Sequence, residues 1–137
     1  MIKISDEWQD YECLDAGNGE KLERWGKIIL RRPDPQAMWQ TSLDESWENV
    51  SACYHRSKEG GGYWDFKEKL PDFWTINYKN LTFKVTPTNF KHTCLFPEQA
   101  TNWDYMINKI KKSKRKIKVL NLFAYTGAAT IACASAG

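Results

Sequence analysis

Residues 119–130, VLNLFAYTGAAT, join an apolar run to a Thr-Gly pair and then to small, helix-forming residues. Those types in that order suit ligand binding. An apolar parallel strand that ends in a glycine turn and leads into a helix places a ligand at the strand's carboxyl end. The glycine lets backbone approach the ligand, and the helix start presents unpaired N–H groups. The pattern does not name the ligand. No Gly-Lys-Ser/Thr follows, so a P-loop is absent, and Gly127 stands alone where a dinucleotide site needs G-x-G-x-x-G. On spacing alone, a structural turn is as good a reading as a cofactor site.

Other chemistry has little support. Cys13, Cys53, Cys94 and Cys133 lie far apart, and His55 and His92 do not complete a zinc spacing with them. Buried or incidental thiols in a reduced, intracellular protein are the simplest account. His92 reads as a loop residue rather than a base, and no catalytic residue is assigned.

The elements around these residues change character along the chain. Up to about residue 87 the sequence reads as strands and turns, a small antiparallel β domain. Strands are expected near 11–15, 21–25 and 27–31, with a turn at Gly17 and Gly19. RRPDPQ then breaks the ladder. Gly60, Gly61 and Gly62 mark a flexible loop tip. The firmest local feature is FWTINYKNLTFKV, where Trp74, Ile76 and Tyr78 alternate, then Leu81, Phe83 and Val85. Two residues, Lys79 and Asn80, separate the runs, which is hairpin spacing, and Asn tolerates the positive φ such a turn needs.

From residue 88 onward the pattern is helical and then α/β. Pro97 with Glu98 opens a helix expected over 97–112, with Ala100, Trp103, Met106, Ile107 and Ile110 on one face. Residues 118–123 read as a strand covered on both faces, and a second helix is expected from about Ala128. The fold class is therefore α+β: residues 1–87 a β-rich domain, residues 88–137 a helix-strand-helix that opens an α/β sheet.

Composition sets the remaining bounds. The chain has 137 residues, 42% hydrophobic and 27% charged, which suits an ordinary globular domain. Its net charge is only +3, with much of it in KIKKSKRKIK, residues 109–118. That run reads first as a solvated helix end and second as a phosphate-contacting patch. The amino-terminal residues MIKISDEWQDYE carry acids where a signal peptide needs an apolar core. No segment approaches the ~18 apolar residues that span a bilayer. A cytoplasmic protein without membrane attachment is expected.

VLNLFAYTGAATIACASAG resembles the first cofactor motif of class I S-adenosylmethionine-dependent methyltransferases. More narrowly, N-x-F-x-Y-T-G, here Asn121, Phe123, Tyr125, Thr126 and Gly127, resembles the branch related to ribosomal RNA cytosine-C5 methyltransferases. FKHTCLFPEQATNW, residues 90–103, resembles the segment that precedes that core and helps to cover the cofactor. The sequence departs from the pattern at Ala128, where relatives often have a second glycine, and at Cys94, where they usually have one.

The resemblance implies S-adenosyl-L-methionine as cofactor and a Rossmann-like core. It implies that backbone around Tyr125, Thr126, Gly127 and Ala128 approaches the cofactor's carboxylate and ribose. Asn121 belongs to the same motif. Phe96 and Phe123 would contact the adenine or the thioether arm, and Glu98 and Gln99 would hydrogen-bond the methionine moiety. The residues themselves leave plainer roles open: sheet core for Phe123, helix-start charge for Glu98. It also implies that the chain is the amino-terminal part of a longer enzyme acting on RNA, and is inactive alone, because the nucleophile of such enzymes lies further on. Pairing with that later part or with another chain is then expected. The alternative is a non-enzymatic RNA-binding β module with a basic helix end.

Overall fold

The computed structural model describes residues 2–137. It is α+β: a five-stranded sheet, a separate hairpin, and two helices packed on the hairpin side. Strands β1 (Tyr11–Gly17), β2 (Glu20–Trp25) and β3 (Ile28–Pro33) form an antiparallel meander. A register shift between Cys13 and Asp15 bulges β1.

The sheet is not wholly antiparallel, as the sequence suggested. β3 pairs in parallel with β4 (Ala52–Arg56), and β5 (Gly62–Phe66) returns antiparallel beside it. A parallel neighbour needs a long crossover, which residues 34–51 provide. Trp47, buried in the 3₁₀ turn Glu45–Trp47, anchors that crossover by donating from Nε1 to Asp15 Oδ2 at 2.9 Å. Gly62 is not part of a free tip. A Cβ there would lie 2.1 Å from the His55 carbonyl, so the third glycine is what lets β5 close on β4.

β6 (Trp74–Tyr78) and β7 (Leu81–Val85) form the expected hairpin, in register Tyr78 to Leu81. The positive φ falls on Lys79, at +53°, and not on Asn80. Two ion pairs hold Lys79 there: its Nζ lies 2.9 Å from Glu7 Oε2 and 2.9 Å from Asp104 Oδ1. Burial and the bond to Asp104 push the Tyr78 phenol up to about 12.

A 3₁₀ turn, Pro97–Gln99, leads into α1 (Ala100–Ser113), which buries Ala100, Trp103 and Ile110. Lys111 and Lys112 occupy its last turn, where cations suit the helix dipole. α2 (Ala128–Ala134) follows. One core runs through Trp25 and Leu30 of the sheet, Ile76, Tyr78, Phe83 and Val85 of the hairpin, and Ala100, Trp103 and Ala132 of the helices.

The strand expected at 118–123 is not formed. Leu120 is 82% exposed and Leu122 68%. A strand is stable as a member of a ladder, and among the described residues none lies alongside this segment to supply one.

Candidate functional site

A cleft of about 270 Å³ lies between the start of α1 and the turn before α2. One wall comes from Leu95, Phe96, Gln99 and Trp103, the other from residues 121–126 with Ala128 and Ala129. Helical spacing explains the first wall: Gln99 and Trp103 stand four residues apart and share a face. The second wall is a tight turn. Phe123 and Tyr125 have φ of +58° and +51°, and Gly127 has +87°.

Residues 88–96 act as a strap that joins this cleft to the sheet. On one side, Trp64 Nε1 donates to the carbonyls of Thr88 (2.8 Å) and Phe90 (3.1 Å). Buried Arg32 donates from Nη1 to the Lys91 carbonyl at 2.7 Å. On the other side, Thr126 Oγ1 donates to the Cys94 carbonyl at 2.5 Å, and the Phe96 and Tyr125 rings meet at 5.0 Å.

The structure places most of the sequence-derived candidates here. Phe96, Gln99, Asn121, Phe123, Tyr125, Thr126 and Ala128 all line the cleft. Gln99 Oε1 accepts from Asn102, Asn121 Nδ2 donates to Thr130 Oγ1, and both carboxamides keep further hydrogen-bonding capacity. Phe123 is fully exposed rather than core. Burial, then Cys94, pushes the Tyr125 phenol up, so it stays a neutral donor. Glu98 and Gly127 do not line the cleft. Glu98 is exposed in the turn before α1, where it complements the helix start. Gly127 sets the turn: no atom lies within 4 Å of where its Cβ would be, so the left-handed φ, not close approach within the chain, is what calls for glycine.

Leu95, Trp103, Ala124 and Ala129 also line the cleft. Trp103 was legible as core; its second role follows from its spacing to Gln99. His92, in the strap, sets its ring against Phe96 at 5.7 Å. Burial, then the charges of Lys91, Arg32 and Lys21, holds it below the ordinary histidine range, so it is neutral at pH 7.

Cys94 has φ +67°. A left-handed conformation costs an L-residue about 1–2 kcal/mol. Cys94→Gly removes that strain but loosens the unfolded chain by about 0.4–1 kcal/mol. A net stabilisation of about 0.5–1 kcal/mol is expected, read as a higher urea midpoint. A lower midpoint would mean that the thiol itself anchors the strap.

No family model matches the chain, and no curated protein does. Solved structures do. A SAM-dependent methyltransferase from Agrobacterium tumefaciens is 38% identical with a TM-score of 0.88, over 95% of this chain and 42% of that one. A Streptococcus mutans protein described as a SAM-dependent methyltransferase is 19% identical, TM-score 0.67, over 96% of this chain and 37% of that one. SMU.776, described as a methyltransferase and solved in complex with SAH, matches with the same figures. At 19% identity these two speak for the fold alone. The chain is thus similar, along nearly its whole length, to less than half of a SAM-dependent methyltransferase.

Proposed function

We propose that this chain carries part of an S-adenosyl-L-methionine-dependent methyltransferase, with the cleft as one wall of its cofactor site and RNA as the methyl acceptor. The observation that carries the reading is the convergence of two separate sequence blocks, Phe96 with Gln99 and Asn121 with Tyr125 and Thr126, on one cleft. The residues fit the group. Exposed Phe96, Phe123 and Tyr125 offer flat apolar surface to adenine, and Gln99 and Asn121 offer neutral hydrogen bonds to a zwitterion. When bound, the cofactor supplies an electrophilic methyl group on sulfur; these residues would bind and orient it. The branch related to rRNA cytosine-C5 enzymes stays part of the proposal, supported by the N-x-F-x-Y-T-G residues and by the exposed basic run 109–118.

At about 270 Å³ the cleft falls just below the ~300–1,000 Å³ of small-molecule sites. The cleft-lining residues include no carboxylate for the ribose hydroxyls. Binding by these 137 residues is therefore expected to be weak, with a dissociation constant nearer ~1 mM than ~1 μM. Titration of the ¹⁵N-labelled chain with S-adenosylhomocysteine tests this. Amide shifts confined to Gln99, Asn121 and residues 125–129 are expected. Shifts elsewhere only, or none at millimolar ligand, would remove the cofactor reading. No methyl transfer to RNA is expected from this chain alone.

A further inference from the structure

A second pocket, of about 220 Å³, opens between the end of β4, the glycine tip and the strap. Arg56, Ser57, Gly61, Phe90, Lys91 and His92 line it. Its charges are of one sign. Among the described residues Arg56 and Lys91 hold no carboxylate, whereas nearby Lys21, Arg31 and Arg32 all do. Burial, and then the guanidinium of Arg56, pushes the Lys91 ammonium down. Asp34 offsets this in part, and the ammonium donates to the Pro33 carbonyl at 3.4 Å, but among the described residues no carboxylate pairs with either cation, so both gain from an anion placed between them.

The pocket is held in shape. The Lys91 carbonyl is fixed by Arg32, which is 6% exposed, and the Phe90 carbonyl by Trp64. Thr88 closes the strap by donating from N and from Oγ1 to the His92 carbonyl, at 3.1 and 3.0 Å. At the mouth, Gly60 and Gly61 have open space where side chains would stand. A tetrahedral anion could therefore approach backbone and the Ser57 hydroxyl together. Phe90, 62% exposed on the rim, offers a face on which a base can stack.

We infer that this pocket is a phosphate site, taking the phosphate of a nucleotide or a phosphodiester of single-stranded nucleic acid between Arg56 and Lys91. Its geometry stands apart from the cleft; only its service to a methyl acceptor rests on the function proposed above. The two are mechanically close: His92 belongs to this pocket and its ring touches Phe96 of the cleft wall.

The test uses the whole ¹⁵N-labelled chain with no cofactor present. Inorganic phosphate, cytidine 5′-monophosphate and a short single-stranded RNA are titrated separately. Amide shifts of Ser57, Gly60, Gly61 and Lys91 are expected with all three. Arg56→Ala and Lys91→Ala should each weaken binding about tenfold, as loss of a hydrogen bond to a charged group does, with unchanged circular dichroism. RNA binding at least tenfold tighter than the mononucleotide, and steeply salt-dependent, would assign the site to a strand. Equal affinities would assign it to a free nucleotide. Absence of shifts at millimolar phosphate, or binding that both variants leave intact, overturns the site. S-adenosylhomocysteine is expected to shift cleft residues and not these, so failure of either reading is visible without the other.

Discussion

Glu23→Ala should destabilise the chain by about 3–5 kcal/mol, the cost of leaving a buried charge without its partner. That is a large part of the roughly 5–15 kcal/mol by which a domain is stable. Glu23 has no exposed surface. Its carboxylate accepts from Arg32 Nε at 2.6 Å, Arg32 Nη2 at 2.8 Å and the Tyr11 hydroxyl at 2.8 Å. Removing it strands the Arg32 guanidinium and the Tyr11 donor, and loosens the strap that Arg32 holds. Replacing both partners, Glu23→Leu with Arg32→Met, should cost much less, because no unpaired charge remains. Urea unfolding compares the variants; a double variant as unstable as the single one would refute the argument.

The same cluster sets a pH window. Burial would raise the Glu23 carboxyl, but Arg32 outweighs it and holds the group below the usual carboxylate range. A depressed pKa contributes stability above the unfolded value, about 4.3, that is lost as pH falls through the folded one. Burial, then Glu23, pushes the Tyr11 phenol far up. Its contribution is complete below about 10, the unfolded tyrosine value, and is lost as pH rises beyond it. Stability should therefore fall at both ends, and Tyr11→Phe should reduce the alkaline loss while leaving the parts that come from Tyr78 and Tyr125.

Trp103→Ala should also cost about 3–5 kcal/mol. Trp103 is 2% exposed, and its ring meets Phe83 at 4.9 Å, Tyr78 at 5.8 Å and Trp8 at 6.1 Å. It pins α1 to the hairpin and also floors the cleft, so its loss should blunt cofactor binding together with stability. By contrast Leu120→Ala and Phe123→Ala should stay within about 0.5 kcal/mol, as surface substitutions do. Denaturation midpoints separate the groups; an equal loss at Phe123 would show that residues 118–124 are buried after all.

That contrast marks how far the sequence could be read. The hairpin was legible because Trp74, Ile76, Tyr78, Leu81, Phe83 and Val85 keep period two and all face one core. Its turn was misread at Asn80 because the deciding forces, Glu7 and Asp104 on Lys79, are distant in sequence. β4 and β5 were missed because ACYHR and GYWDF do not alternate cleanly and because β4 joins β3 only through a long crossover. Val119, Leu120 and Leu122 read as strand from hydropathy, but hydropathy states what a segment can bury and not what stands beside it. In the cleft, Phe96, Gln99 and Tyr125 were visible as motif residues. The pocket of Arg56 and Lys91 was not, since only β4 and the strap together make it.

Ser5 Oγ and Trp8 Nε1 both donate to the Pro97 carbonyl, at 3.1 and 3.0 Å, across 92 and 89 residues. Those bonds have a bearing on how the chain is made. A ribosome adding ~5–20 residues per second delivers Pro97 roughly 4–18 s after Trp8. Tyr11, Tyr78 and Phe83 are made within that interval, but the Pro97 carbonyl and the Trp103 ring that complete the seat of Trp8 come only at its end or just after. The meander β1–β3 can assemble while translation proceeds. The amino-terminal arm must wait, and its docking on the 3₁₀ turn before α1 records that the nascent chain has grown to about its hundredth residue.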